Sequence, residues 1–203
     1  MSFSVFPTKG NLINIKRSLM LAKLGFDLMD KKRNILIREM MSLIDTAKSI
    51  RGEIESTFDT AYKALQTANI TLGICDSIAK GIEVETGIEV KYKSVMGVEI
   101  PKVTINSEFD TRAYGFSGTN SHLDIAYICF DKAKRISVVL AEVENSVYRL
   151  ANEIKKTQRR ANALKNVNIP KFEKTIKYIS NALEEKEREE FSRLKVIKRT
   201  KQK

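Results

Sequence analysis

Tryptophan is absent from this chain of 203 residues, histidine occurs once, cysteine twice and proline three times. Each scarcity closes off a class of function. The single histidine, His122, lies where a helix start is expected and reads as structural rather than catalytic. Cys75 and Cys129 are too few for a disulfide framework or a metal-ligand cluster, and they fit a reducing cytosol. No GxxxxGK[ST] phosphate loop is present, and Gly115-Phe116-Ser117-Gly118 is too generic to stand in for one. No apolar run approaches the roughly 18 residues that cross a bilayer, and the start does not resemble a signal peptide. The expectation is therefore a cytoplasmic protein without cofactor or metal, reaching a membrane only through partners.

What is present is charge, helical spacing and glycine in one place. Six of the nine glycines fall between Gly73 and Gly118, so the helix breakers are concentrated in the middle. This divides the chain into a helical arm over 1–68, a central insert over 69–120 and a second arm over 121–203. Net charge is +11, unevenly spread. Residues 8–68 carry 11 basic and 7 acidic groups, 69–119 carry 5 and 7, and 120–203 carry 20 and 11, so the second arm holds most of the excess.

Both arms repeat apolar residues at alternating steps of three and four. In the first, after Pro7 and a Thr8 N-cap, the stripe runs Leu12, Ile15, Leu19, Ala22, Phe26, Met29, Arg33, Leu36, Met40, Leu43, Ala47, Ile50, Ile54, Thr57, Ala61, Ala64 and Ala68. Only Arg33 and Thr57 interrupt it, and the late alanines would let a partner helix approach closely. In the second arm the stripe is Ile136, Leu140, Val143, Val147, Leu150, Ile154, Thr157, Ala161 and Leu164, resuming at Phe172, Ile176, Ile179 and Leu183, then at Leu194 and Ile197. Heptad spacing demands a partner helix. Two such arms joined by an insert can fold back on each other, which predicts a mainly α protein: a long antiparallel two-helix coiled coil with a small insert. Pro170 predicts a kink or break near Asn166 to Pro170, since an internal proline costs a helix about 3 kcal/mol. Ser121, three residues before Asp124, predicts a capping arrangement for the second arm.

The insert changes period. Val90 and Tyr92 alternate with Lys91 and Lys93, and Val98, Ile100, Val103 and Ile105 follow Met96-Gly97. This predicts a β-hairpin turning near Gly97, with Pro101 restricting its strand to an edge. Such a hairpin is marginal alone and needs the helices or another protein to pack on. Residues 106–120 read as a loop.

The carboxylates of Glu184, Glu185, Glu187, Glu189 and Glu190 read as a solvated helix face rather than an acid–base pair. The basic groups offer an electropositive surface: Lys155, Lys156, Arg159 and Arg160 cluster, and Arg193 to Lys203 holds six basic residues and no acid. Nucleic acid would fit such charge, but the clustered aromatics of a single-strand platform and any recognised DNA-binding motif are missing. A tethering coiled coil that self-associates is the other alternative.

Four stretches carry a resemblance: PTKGNLINIKRSLMLAKLGFDLMDKKRNILIREM, VMGVEIP, RAYGFSGTNSHLD and KKTQRRANALKNVNIPKFEKTIKYISNALEEKEREEFSRLKVIK. Together they resemble the D subunit of the V-type and archaeal-type rotary ATPases, over nearly the whole chain. The resemblance implies a central-stalk rotor shaft, not itself catalytic, that transmits torque between a hexamer of catalytic and non-catalytic nucleotide-binding subunits and an ion-carrying membrane rotor ring. It also implies a small central-stalk F subunit, a connecting subunit, and a place on the cytoplasmic face of the membrane. Read through it, Lys9, Lys16, Arg17, Arg193, Lys195, Lys198 and Arg199 near the two termini are candidates for contact with the hexamer. Val95, Met96, Gly97, Val98, Ile100 and Pro101 of the hairpin are candidates for contact with the F subunit or for regulation.

Overall fold

The computed structural model describes residues 6–106, 114–115 and 117–201. Helix α1 (Lys9–Leu72) is followed by a single turn, α2 (Asp76–Ala79), and by strands β1 (Ile88–Val95) and β2 (Val98–Ile105). Helix α3 (Ser121–Ala163) then passes through a π turn (Leu164–Asn168) into α4 (Ile169–Lys201). The loop expected over 106–120 lies mostly outside the described residues. The architecture is thus mainly α, with paired N- and C-terminal helices and one two-stranded antiparallel hairpin. The chain forms two compact units, Met1–Asn34 with Lys155–Lys203, and Ile35–Ile154.

In the unit that holds both termini, α1 runs antiparallel to the second arm. Lys9 pairs with Glu187 at 3.0 Å and Lys23 with Glu173 at 3.0 Å, while Arg33 donates to Gln158 at 2.8 Å, partner numbers falling as those of α1 rise. Ala22, Thr157, Ala161, Thr175 and Ile179 are buried along the seam, with Leu19, Phe26 and Leu164 half-buried. Arg33, the polar interruption of the stripe, is satisfied by Gln158 and by Asp30 at 2.6 Å, so it crosses the seam without leaving a charge unpaired. Helix α1 starts as the sequence implies: the Asn11 N–H donates to Thr8 Oγ1 at 3.2 Å.

Of the kink or break expected near Pro170, the break does not occur. The helix neither breaks nor stops; the turn before Pro170 widens to a π turn, closed by the Ile169 N–H donating to the Leu164 carbonyl five residues back. An extra residue in that turn relieves the clash between the proline ring and the preceding turn and absorbs the missing donor at the start of α4.

In the Ile35–Ile154 unit the same antiparallel sense holds, with Arg51 pairing Glu144 at 2.7 Å and Tyr62 meeting Phe130 edge-on. Ala61, Ala68, Ala126 and Ala133 are all fully or almost fully buried, so the helices approach closely where their contacts are small. Two clusters anchor the unit. Leu36, Leu150 and Val98 form one, with Met40, Leu43, Ile100 and Ile154 against it; Ala68, Cys75 and Leu123 form the other. The remaining seam positions Ile50, Leu140 and Val147 are half-buried. The cap of α3 is Asn120 rather than Ser121: its Oδ1 accepts the Leu123 N–H at 3.1 Å, and its Nδ2 donates to Thr71 Oγ1 at 2.7 Å. Asn120 wins because its side chain also ties α3 to the end of α1, whereas Ser121 is already the first helical residue.

A strap over 82–87 is held to α3 by charge. Lys134 bonds Glu85 at 2.9 Å and Asp131 at 2.9 Å, and Arg135 bonds Asp131 at 2.8 Å. Burial opposes ionisation of Asp131, but hydrogen bonds from Arg135 and Lys134, with their charges, outweigh it and hold this carboxyl below its ordinary value. A depressed carboxylate stabilises the folded state at neutral pH, and that contribution fades as pH falls below about 4 toward the folded value. The Asp131→Asn variant should therefore lose about 1 kcal/mol at pH 7, in the range of partly exposed ion pairs. In chemical denaturation across pH, the gap to the parent chain should shrink toward pH 3; a pH-independent gap would mean that Asp131 acts by shape, not charge.

Candidate interaction surfaces

No group of His, Cys, Asp and Glu able to hold a metal ion occurs among the described residues, and none of the described helices is long and apolar enough to cross a membrane. A cavity of about 1020 Å³ opens in the Ile35–Ile154 unit among α1, α2, the strap and α3. Its walls include Ile78, Ile82, Tyr127 and Phe130; of its charged members, Glu85 and Asp131 both bond Lys134 and Asp76 pairs with Lys80, while Glu83 lines it as well. Cys75 on its wall directs its thiol at the Gly73 carbonyl. Tyr114 donates to Asp124 at 2.6 Å; burial and that bond raise its phenol above the ordinary range, so it keeps its proton. His122 is exposed at the start of α3, away from any such arrangement.

The terminal unit presents a charged surface built on two helices. Lys9, Lys16 and Arg17 lie on the first turns of α1, and Arg193, Lys195, Lys198 and Arg199 on the last turns of α4; all seven are exposed. They are not equivalent. Lys9 is engaged by Glu187, whose hydrogen bond and charge raise its pKa; Arg193 reaches Glu189 only at 3.7 Å, and the Lys195 ammonium sits 4.8 Å over the Phe191 ring. Phe191, Leu194, Val196 and Ile197 are exposed among these cations. Leu194 and Ile197, which continue the spacing of the seam, thus meet no partner helix among the described residues, because Lys9, the first residue of α1, already lies opposite Glu187.

One surface in this unit is not apparent from the seam pattern. Ile13, Met20, Leu24 and Leu28 are exposed on α1 at steps of seven, four and four. Their spacing carries the signal, but the longer seam stripe runs beside it and masks it.

The hairpin divides into a packed and an open half. Val98 is buried and Ile100 packs against the Leu36–Leu150 cluster, so these two, on one face of β2, turn toward the helices, while Pro101, on the other face, is buried as well. Val95 is half-buried, while Met96 and Gly97 form the turn, both with positive φ (51° and 77°). That pair of left-handed residues is what a two-residue hairpin turn of matching twist requires, and glycine supplies the second without strain. The other strand, β1, is exposed over all but its last residue.

Comparison with known proteins adds a family-wide match. Residues 11–199 fit the family model described as the ATP synthase D subunit. The chain is 48% identical over 198 residues to the V-type ATP synthase D subunit of Thermotoga neapolitana, covering 96% of this chain and 97% of that protein. It is 38% identical over 197 residues to the A-type ATP synthase D subunit of Pyrococcus horikoshii, covering 95% and 92%. The corresponding protein of Methanosphaera stadtmanae is 37% identical over 198 residues, with 95% and 92% covered.

Proposed function

Since the chain belongs to the family of ATP synthase D subunits, we propose that it is the central-stalk shaft of a V/A-type rotary ATPase, carrying torque between its catalytic hexamer and its membrane rotor ring. The observation that carries this is the match over 11–199, nearly the whole chain and not one motif. The nucleic-acid alternative finds no support in the names of these relatives.

The geometry suits the role. Two antiparallel helices locked along a shared seam resist bending and twisting better than one, and the ion pairs spaced along them oppose sliding. A shaft without three-fold symmetry meets each catalytic interface of a ring differently, so nucleotide affinity can follow shaft angle through differential binding free energy. We assign the terminal surface to the catalytic and non-catalytic subunits of the hexamer, the small F subunit to the Ile35–Ile154 unit with its hairpin, and a connecting subunit to the link with the rotor ring. The assembled complex would lie on the cytoplasmic face of the membrane.

Reversal of Arg193, Lys195, Lys198 and Arg199 to Glu tests the first assignment without touching the Lys9–Glu187 pair. Co-purification and mass analysis should show weaker retention of the hexamer subunits, with a loss of coupled ATPase turnover that deepens as salt is lowered, since the introduced repulsion is then unscreened. Unchanged retention and turnover would remove the assignment.

A further inference from the structure

The hairpin has two edges, and the structure treats them oppositely. Val95 pairs with Val98 across the turn, and hydrogen-bonded and open pairs alternate from there, so Tyr92↔Pro101 and Val90↔Val103 are open pairs. At such positions the backbone N–H and C=O point away from the partner strand. On β2 these outward groups meet α3: the Val103 N–H donates to Glu142 Oε2 at 2.6 Å, and Pro101 has no donor to satisfy. Arg149 of the same helix donates to the Glu99 carbonyl at 3.1 Å. The β2 edge is therefore covered by α3 at Glu99 and Val103.

The β1 edge is not. Outward N–H and C=O groups of Ile88, Val90, Tyr92 and Ser94 have no hydrogen-bond partner among the described residues, and the side chains of Ile88, Val90 and Tyr92 are 46%, 50% and 59% exposed. Exposed edges of this kind are templates for another strand. Charge says which strand. Lys91 and Lys102 face each other directly across the ladder, and Lys93 lies diagonal to Lys102. Like charges directly opposite destabilise a two-stranded ribbon that is marginal to begin with. Among the described residues only Glu89 answers them on that face, reaching Lys91 at 3.4 Å between exposed side chains. A second copy of this strand would set lysine rows side by side, so self-pairing is disfavoured.

We propose that β1 is a strand-addition site for an extended segment of another protein of the complex, with Asp or Glu opposite Lys91 and Lys93 and apolar residues at the intervening positions, against Ile88, Val90 and Tyr92. This rests on the reading of the hairpin as partner-facing and goes beyond it by naming the mode of contact and the chemistry of the segment. Arg149, whose guanidinium lies 5.3 Å over the Tyr92 ring, would hold that ring in place as the strand docks.

Amide hydrogen exchange on the full chain, alone and in the reconstituted complex, tests it. Strand addition should slow exchange of the β1 amides at Val90 and Tyr92 at least about tenfold, the worth of roughly one net hydrogen bond. Val90→Pro removes an outward donor without touching the ladder and should weaken assembly by about the same factor, while Val90→Thr should not. Retained protection of the Val103 amide by Glu142 shows that the hairpin is still seated. Joint reversal of Lys91, Lys93 and Lys102 to Glu should weaken assembly further. Equal β1 exchange in chain and complex, or wild-type assembly by Val90→Pro, overturns strand addition. Deleting Lys91 to Lys102 separates the two ideas. If the deletion alters binding of the F subunit or the ATPase rate while Val90→Pro and the lysine reversal are silent, strand addition is overturned and the hairpin faces a partner by another mode; if the deletion is silent too, the hairpin is a connection only.

Discussion

Leu150→Ala is expected to destabilise the Ile35–Ile154 unit by about 2–5 kcal/mol, the range for removing a buried leucine from a site that cannot collapse. Leu150 is 0% exposed and meets Leu36, also 0% exposed, together with Val98 of β2. Three elements from different parts of the chain therefore converge on one side chain. None can close the gap alone, because α1 and α3 are pinned nearby by Arg51–Glu144 and the hairpin by Glu142 and Arg149. The loss should appear as a lower denaturant midpoint and as faster exchange of the Val103 amide, since the cluster seats the hairpin. Leu150→Met, nearly volume-conserving, should cost under about 1.5 kcal/mol. A loss below about 1 kcal/mol for the alanine variant would show that the helices relax into the space, and the hairpin would then not depend on this cluster.

Ile179→Asp should act as strongly on the unit that holds the termini, at about 4 kcal/mol or more. Ile179 is 0% exposed in α4, one turn beyond the buried Thr175. Thr175 tolerates burial because its hydroxyl donates to the Lys171 carbonyl at 2.8 Å, a local partner that a carboxylate, having no donor, cannot use. Burial raises the pKa of the introduced carboxyl, so the folded variant binds its proton more tightly than the unfolded one. Its destabilisation should therefore be least below about pH 4 and grow as pH rises. Hydrogen exchange resolved along the chain should show α4 opening near Ile179. If the cost is the same at pH 4 and pH 7, the carboxyl has found water and the seam is looser there than its burial implies. In an assembled rotary complex the same variant should uncouple ATP hydrolysis from ion movement, because a shaft whose helices part cannot carry torque.

Most of the helical architecture was legible in spacing alone. Every position of the stripe from Leu12 to Ala68, and of that from Ile136 to Leu164, is buried or half-buried, the interrupting Arg33, Thr57 and Thr157 included. Side-chain direction on a helix depends only on position within the repeat, so apolar residues at steps of three and four must share a face, and water drives that face inward. The hairpin turn was legible for a similar reason: Met96-Gly97 separates two alternating runs, and a two-residue turn needs positive φ.

The interaction surfaces were legible only in part. Charge near the termini could be counted, yet Lys9 belongs to an internal pair with Glu187, and nothing local to Lys9 announces a partner so far along the chain. Treating the hairpin as one surface likewise missed that Val98, Ile100 and Pro101 are covered while β1 stays open.

Local periodicity, then, determined by itself that this chain is a pair of long helices with a hairpin between them, and which face of each helix is hidden, because those features follow from neighbours within a turn or two. Tertiary structure alone decided that Pro170 is absorbed by a π turn, that Asn120 caps α3, and that Glu142 and Arg149 hold β2 at Val103 and Glu99 while leaving β1 free. For the cap and the hairpin edge, the outcome rests on groups tens of residues away in the chain, which meet only once the helices have packed. For Pro170 it rests on whether the packed seam makes breaking the helix costlier than widening one turn.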